Sequence, residues 1–218
     1  MITRSEENYL KAIFSVHMQT KKNVSTNDIA NLLDTSPASV TEMIKKLQEK
    51  KLVIYEKYNG VRLSSKGEDN AIKTIRKHRL WETFLVNKLD FSWSEVHDVA
   101  EQLEHIKSNK LTDKLDHFLN YPKFDPHGDP IPTKNGVFNF QERISIFEMD
   151  INEEGIIMGV SLDNKDFLDH LTKLKISIGT RVRVLEQIKF DQSMKITYDS
   201  RTEHISKEIA ENILIKFN

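Results

Sequence analysis

Histidine and glutamate side chains recur at helical spacing near the middle of the chain. The residues are His97, Glu101, Glu104 and His105. Offsets of four, three and one would place two imidazoles and two carboxylates on one face of an α-helix. Such a face can hold a divalent metal ion, because imidazole nitrogens and carboxylate oxygens are both metal ligands. It can also be a solvated polar surface with charge pairs inside the helix.

A second pair, His78 and Glu82, lies four residues apart on the preceding predicted helix. Two helices can then direct donors toward one region, which favours a metal site over a plain polar surface. The chain has no cysteine, so disulfides, thiolate ligands and thiol catalysis are excluded. The remaining oxygen and nitrogen donors favour Mn²⁺ or Fe²⁺, with Zn²⁺ or Co²⁺ as possible substitutes in vitro.

Two further candidate ligands, Asp125 and His127, flank a proline in a proline-rich segment. The same residues are also typical of a plain turn, so both readings stay open at this point. Four of the five prolines lie between Pro122 and Pro132, and we interpret residues 122–140 as a stiff linker between domains.

The elements before position 65 follow the pattern of a winged helix-turn-helix. An amphipathic helix at Glu6–Val16 precedes two short helices, of which the second covers Pro37–Glu49. Strands at Leu52–Tyr55 and Val61–Ser64 flank an Asn-Gly pair, which is typical of a two-residue hairpin turn. In this fold the second helix enters the major groove of DNA, although the same fold can also serve protein contacts.

The remaining residues predict a helical region followed by a small β domain. Helices over residues 65–88 and 111–119 carry more apolar surface than one subunit buries, which favours a homodimer and a palindromic DNA site. Short predicted strands at 144–149, 155–162, 180–187, 194–198 and 213–217, with a helix near 165–174, predict a small β-barrel. The expected fold is therefore mainly α with a small β part: a winged helix-turn-helix (1–64), a helical metal-binding and dimerisation domain (65–121), the linker (122–140) and a C-terminal β domain (141–218).

The sequence contains few patterns that indicate an enzyme. The motifs of serine hydrolases, zincins, P-loop proteins and dinucleotide-binding proteins are absent, so a metallohydrolase built on the His/Glu face is the surviving catalytic hypothesis. A metal-independent winged-helix regulator that senses an organic ligand is a second alternative. With no long apolar run and no leader-like segment, we expect a cytoplasmic protein without membrane contact.

Three motifs, taken in order after the winged helix, are specific for one family. They are RKHRLWE at 76–82, VHDVAEQLEH at 96–105 and FDPHGDPIP at 124–132. With them the chain resembles the diphtheria-toxin-repressor family of metal-dependent transcriptional repressors over essentially its whole length. It is most similar to the manganese-transport-regulator branch, which retains a C-terminal SH3-like (FeoA-type) domain.

The resemblance implies two metal sites. The primary site would take its ligands from the first helix and the central helices, and the ancillary site from the helices, the linker and the C-terminal domain. The primary set is Asn8, Glu101, Glu104 and His105, with His78 close by. The ancillary set is Glu82, Asp125, His127 and Asp163. His97 matches a ligand of the ancillary site in iron-type members and could serve either site here.

The resulting functional hypothesis is a repressor of metal uptake that Mn²⁺, or Fe²⁺, activates for binding to duplex operator DNA as a homodimer. We expect bases to be read at the start of the second helix of the motif and phosphates to be bound by later residues and the wing. The predicted base-reading residues are Ser36, Pro37, Ala38, Ser39, Thr41 and Glu42. The predicted phosphate-binding residues are Lys45, Lys46, Lys57, Tyr58 and Arg62.

Overall fold

The computed structural model describes residues 2–57 and 59–217. By the contacts among their residues these form two compact units. The first unit comprises the residues up to His78 together with 101–114 and 132–138. The second comprises 79–100, 115–131 and the residues from Asn139 onward. Tyr58, a predicted phosphate contact, lies outside the described residues.

The first unit begins with the expected helix-turn-helix and wing. Its elements are α1 (Arg4–Thr20), α2 (Thr26–Leu32), α3 (Pro37–Glu49), β1 (Val53–Glu56) and β2 (Gly60–Leu63). The α3 helix has the predicted bounds, and α1 is longer at both ends than the predicted Glu6–Val16. The chain therefore presents α3 as the second helix of a helix-turn-helix motif.

Side-chain caps explain where these helices start. Thr3 and Glu6 form a capping box at α1, and Ser25 and Asp28 form another at α2. Ser36 caps α3, which has a proline at the favoured first helical position. These caps satisfy backbone N–H groups that would otherwise lack partners.

Apolar side chains spaced three to four residues apart on these helices form the core of the first unit. The fully buried residues include Leu10, Ile13, Ile29, Ile44 and Leu47. Because they come from α1, α2 and α3 together, α1 is packed against the helix-turn-helix motif as part of one core. A displacement of α1 would therefore disturb the packing of α3.

The wing is closed by three connecting residues, since β1 and β2 pair with Glu56 opposite Gly60. The prediction of a two-residue Asn-Gly turn is wrong, because Gly60 is already the first residue of the returning strand. A glycine is required there: its φ is +89°, and a Cβ atom would lie 2.7 Å from the Val24 carbonyl oxygen. That close approach lets Val24 and Val61 form an isolated β-bridge.

Three helices follow the wing. They are α4 (Ser65–Leu89), α5 (Val96–Leu103) and α6 (Asn109–Phe118). The α5 helix ends at Leu103, whose carbonyl oxygen accepts a hydrogen bond from Ile106 N, and Glu104 and His105 lie in the turn that follows. The prediction of a single helical face through position 105 is therefore wrong, because this tighter bond ends the helix.

The C-terminal part of the second unit is an antiparallel sheet in the order β3-β8-β4-β5-β6-β7, with two helices. The elements are β3 (Ile144–Ser145), β4 (Glu154–Val160), α7 (Lys165–Leu174), β5 (Arg181–Gln187), β6 (Met194–Tyr198), β7 (Arg201–Ile205), α8 (Lys207–Asn212) and β8 (Ile213–Phe217). The sequence prediction missed β7 and α8. It also placed a longer strand at 144–149, where a capping box of Ser145 and Glu148 starts a short 3-10 turn.

Alternate residues of these strands form a separate core with one face of α7. Ile157, Ile196, Leu168 and Leu171 are among its fully buried members. Among the described residues, no helix has both the length and the apolar character needed to cross a lipid bilayer.

Candidate functional site

Charged and polar side chains from α1 meet the segment around α5 inside the first unit. We call this group the α1 cluster; its members are Glu7, Asn8, Lys11, His78, Glu101, Glu104 and His105. Lys11 Nζ donates hydrogen bonds to Glu101 Oε1 at 3.1 Å and to Glu104 Oε2 at 2.9 Å. His78 Nδ1 lies 2.6 Å from Glu104 Oε2. The Lys11 contacts join residues 90 and 93 positions apart in the chain, and together with the His78 contact they bring three of the predicted residues, His78, Glu101 and Glu104, to one place.

The electrostatics of the α1 cluster centre on Glu104, whose side chain is fully buried. Burial by itself would raise the pKa of Glu104, but the hydrogen bond from His78, the charge of Lys11 and the hydrogen bond from Lys11 outweigh it, so the pKa is lowered. Glu104 is therefore held as a carboxylate in a buried position, which is the form that binds a metal ion.

Two buried oxygen atoms of the α1 cluster accept no hydrogen bond from the described residues. They are Asn8 Oδ1 and Glu104 Oε1. His105 Nε2 lies 3.8 Å from Glu104 Oε1. Buried polar atoms without partners are rare in folded proteins, and hard oxygen atoms beside an imidazole suit Mn²⁺ or Fe²⁺. The residues present thus fit the ion that the family motifs imply.

The donor atoms of the predicted primary set nevertheless do not form a compact group. Among the described residues, Asn8, Glu101, Glu104 and His105 are not part of a set of three His or carboxylate ligands whose donor atoms all lie within 4.8 Å of one another. The Lys11 ammonium group lies between the two carboxylates instead.

Sequence reasoning missed Glu7 as a member of the α1 cluster. Its Oε2 lies 2.6 Å from Nδ1 of His105. A carboxylate that holds one imidazole nitrogen orients the other nitrogen toward a ligand, as is common for histidines that bind metal. The signal available in the sequence was a carboxylate next to Asn8, which by itself does not identify its partner 98 residues away.

A second cluster lies entirely within the second unit. Glu82, Asp125 and His127 are all buried, and their donor atoms lie within 4.8 Å of one another. We call these three residues the Glu82 cluster. His97 is beside it, with Nδ1 3.6 Å from Glu82 Oε1, and His127 Nδ1 lies 3.7 Å from the same oxygen. The cluster contains three of the four predicted ancillary ligands.

Hydrogen bonds fix how His127 is presented to this cluster. Its Nε2 lies 2.8 Å from the Trp93 carbonyl oxygen, which can only accept, so Nε2 carries the hydrogen. Its backbone N donates to Asp125 Oδ1 at 2.8 Å. The nitrogen that faces Glu82 is therefore Nδ1, which in the neutral ring offers a lone pair to a cation.

The Glu82 cluster concentrates negative charge where water is excluded. Burial and the charges of Glu82 and Asp129 raise the pKa of Asp125 to about 7, against the opposing charges of Arg79 and His127. Burial alone would lower the pKa of His127, but contact with Glu82 and the charges of Glu82 and Asp125 raise it to about 9. A divalent cation would relieve this cost, so the donor set fits a metal ion.

Arg79 and Asp129 also belong to this region and were not predicted from sequence. Arg79 Nη2 donates to Asp129 Oδ2 at 2.7 Å, and its Nε lies 3.4 Å from Asp125 Oδ2. The fourth predicted ancillary ligand, Asp163, is exposed before α7 and is not part of a three-ligand group among the described residues. Its role as a ligand stays a prediction.

The predicted DNA-reading residues form an exposed face of α3 and the wing. The exposed residues are Ser36, Pro37, Ala38, Ser39, Thr41, Glu42, Lys45, Lys46, Lys57 and Arg62. Thr41 Oγ1 donates to the Pro37 carbonyl oxygen, and the hydroxyls of Ser36 and Ser39 lie 2.9 Å apart. The two lysines of α3 project from the side opposite its buried Val40, Ile44 and Leu47.

Three family models match the chain in succession. The iron dependent repressor N-terminal DNA binding domain matches residues 1–61, the iron dependent repressor metal binding and dimerisation domain matches residues 64–133, and the FeoA domain matches residues 145–216.

Individual proteins are also similar to the chain, over different shares of their length. The HTH-type transcriptional regulator MntR of Listeria monocytogenes serotype 4a (strain HCC23) is 33% identical over 133 residues, which are 61% of this chain and 91% of that protein. A probable metal transport system membrane protein of Chlamydia trachomatis serovar D is 44% identical over 72 residues, 33% of this chain but only 16% of that protein.

Among solved structures, a manganese-dependent transcriptional repressor in complex with manganese is 32% identical and superposes with a TM-score of 0.88, over 98% of this chain and 100% of that chain. Because this repressor and MntR are matched over nearly their whole length, the chain belongs to the diphtheria-toxin-repressor family of metal-dependent transcriptional repressors, as its motifs predict.

Proposed function

We propose that this protein is a cytoplasmic, homodimeric repressor of metal-ion uptake that binds palindromic operator DNA when the α1 cluster holds Mn²⁺. The observation that carries the proposal is the pair of buried oxygens without hydrogen bonds, Asn8 Oδ1 and Glu104 Oε1. They lie in the same unit as the exposed α3 helix, so a ligand bound there acts close to the DNA-reading face. Fe²⁺ is the alternative activating ion.

The metal ion supplies positive charge shared by donors from separate segments of the chain. Asn8 lies on α1, and Glu101, Glu104 and His105 lie at and after the end of α5. When these side chains converge, α1 is held in one position against the α5 segment. Because α1 and α3 share one core, the position of α3 is held as well.

In a homodimer this constraint acts on two recognition helices at once. A duplex with two half-sites accepts only one spacing between those helices, so the conformation with α1 fixed binds operator more tightly. Thermodynamic linkage then requires that DNA increase the affinity for metal by the same factor, usually about 5- to 150-fold.

The Glu82 cluster is proposed as a second cation site. Its donor set of two carboxylates and one imidazole is buried and compact, and His97 or Asp163 could complete it. We assign a stabilising role to a cation at this site, because the pKa values of Asp125 and His127 are both raised when no cation is bound. The proposed domain division is 1–64, 65–121, 122–140 and 141–218.

The test is DNA binding with and without metal. A duplex is selected from a random-sequence pool in the presence of MnCl₂, and its affinity is then measured by fluorescence anisotropy in MnCl₂, in FeCl₂ without oxygen, and after EDTA. We expect at least about fivefold tighter binding with metal. Equal binding after EDTA would support the metal-independent regulator instead, and failure to select any duplex would contradict a DNA-binding function.

A further inference from the structure

The Lys11 side chain lies where a cation of the α1 cluster would bind. Its Nζ is 3.1 Å from Glu101 Oε1 and 2.9 Å from Glu104 Oε2, and only 17% of its side chain is exposed. Glu104 is fully buried, so without a nearby positive charge its carboxylate would be costly to keep ionised. The ammonium group of Lys11 supplies that charge.

A divalent ion bound by Glu101 and Glu104 would come into direct conflict with this arrangement. An ion held by these carboxylates would lie within a few ångströms of the ammonium group, and two cations that close in a buried site repel each other strongly. Lysine can leave, because its charge sits on a flexible four-carbon chain and is readily hydrated.

We propose that Lys11 is a built-in substitute for the metal ion: it neutralises Glu101 and Glu104 in the metal-free protein and is expelled when the ion binds. This inference rests on the proposed function of the α1 cluster. It has two consequences. The metal affinity is lower than the donor set alone would give, and the metal-free protein is more stable than it would be with the two carboxylates unneutralised.

The first test uses the variant Lys11→Met, which keeps the length of the side chain but removes its charge. Mn²⁺ binding is measured by titration calorimetry. Glu104→Gln is titrated in parallel, and the class of Mn²⁺ sites that this variant lacks is assigned to the α1 cluster. We expect Lys11→Met to bind Mn²⁺ in this class about tenfold more tightly or better. Lys11→Arg keeps a positive charge and should bind no more tightly than the wild type.

Thermal unfolding provides a readout that a simple change of affinity does not give. Metal-free Lys11→Met should unfold at a lower temperature than the wild type, because its carboxylates repel each other. With saturating Mn²⁺ the variant should unfold at the same temperature or higher. The matched control is Lys134→Met, which removes an exposed ion pair with Asp113 in the same unit and should not change Mn²⁺ binding.

A measurement on the wild-type protein avoids any folding defect of the variants. Acetylation of lysine amines is followed by peptide mass spectrometry with and without MnCl₂. Lys11 should react faster with Mn²⁺ present, while Lys134 should react at an unchanged rate. Slower or unchanged labelling of Lys11 in protein that has bound Mn²⁺ at the class removed by Glu104→Gln would overturn the inference and leave the proposed function standing. Absence of that binding class from the wild type would refute the proposed function itself.

Discussion

At the scale of single residues, buried charge is compensated differently in the two clusters. In the α1 cluster, Lys11 and His78 surround Glu104 and lower its pKa. In the Glu82 cluster, Asp125 and His127 both have raised pKa values. The first cluster is therefore neutralised by a lysine from the chain, and the second holds protons that a metal ion would displace.

The raised pKa values predict how stability depends on pH in metal-free protein. Asp125 and His127 both bind protons more tightly in the folded state than in the unfolded chain, so their contribution is fully present at low pH. It is lost as the pH rises, between about 4 and 7 for Asp125 and between about 6.5 and 9 for His127.

We therefore expect the free energy of unfolding in EDTA to fall between pH 6 and pH 9, by on the order of 1 to 3 kcal/mol from His127. Urea denaturation at several pH values measures it, and the difference between wild type and His127→Asn isolates this residue. If the free energy of unfolding of the wild type, relative to that of His127→Asn, increased with rising pH, the predicted direction of the pH dependence would be wrong.

At the scale of secondary-structure elements, one ion pair links α1 to the end of the recognition helix. Lys50 caps the C-terminus of α3, and its Nζ donates to Glu6 Oε1 at 2.6 Å. Glu6 is nearly buried and also accepts a hydrogen bond from Thr3 N through Oε2. Since Glu6 adjoins Glu7 and Asn8, α1 contacts the end of α3 and the α1 cluster within a single turn.

The substitution Glu6→Gln tests this link, because glutamine can preserve the capping box while removing the charge that pairs with Lys50. We expect a loss of about 1 to 2 kcal/mol in the free energy of unfolding, limited by the partial exposure of Lys50. Urea denaturation measures the loss. Asp113→Asn removes an exposed ion pair and should lower the free energy of unfolding by less than about 0.5 kcal/mol. Equal losses for Glu6→Gln and Asp113→Asn would mean that the pair of Glu6 and Lys50 stabilises the fold no more than an exposed pair does.

The exposed face of α3 predicts how binding depends on salt. Lys46→Ala should weaken binding to all duplexes by a similar factor and reduce the slope of log affinity against log salt by about one, since one phosphate contact is lost. Anisotropy titrations at several KCl concentrations measure the slope. An unchanged slope would remove Lys46 from the phosphate contacts.

Elements set by local signals could be predicted from sequence, and those set by distant contacts could not. The bounds of α3 and α7 followed from capping residues and apolar periodicity. The end of α5 depends on a hydrogen bond of Ile106, and β7 has a polar sequence that becomes a strand only by pairing with β6.

The same distinction holds for the candidate site. The residue types and spacing of Glu82 and Glu104 indicate candidate metal ligands, whereas for His127 they leave a plain turn open, and only the resemblance to the family proposes it as a ligand. The contacts that Glu7, Lys11 and Arg79 make were not predicted, because each depends on a residue 50 to 98 positions away in the chain. No local pattern marks such a partner.

At the scale of the whole molecule, family membership and exposed apolar residues both point to a homodimer. Leu89, Phe118 and Tyr121 are each more than half exposed in the single chain. They lie within the residues matched by the metal binding and dimerisation model. Exposed large apolar side chains that cluster in one helical region are typical of an interface.

Phe118→Asp should weaken this dimer by tenfold or more, roughly the effect of removing an aromatic anchor residue from an interface. Sedimentation velocity over a range of protein concentrations measures the shift toward monomer. Phe190→Asp is the control, because Phe190 is 97% exposed in the loop after β5 and lies outside the dimerisation model. A dimer unaffected by Phe118→Asp would place the interface elsewhere.

The central claim is that a cation held by the α1 cluster controls the affinity for operator DNA. The most direct measurement is the ratio of operator affinities with and without Mn²⁺, compared between the wild type and Glu104→Gln. We expect a ratio of about 5 to 150 for the wild type and a ratio near one for Glu104→Gln. The same ratio in both proteins would contradict the claim, because DNA binding would then respond to metal without the buried carboxylate of Glu104.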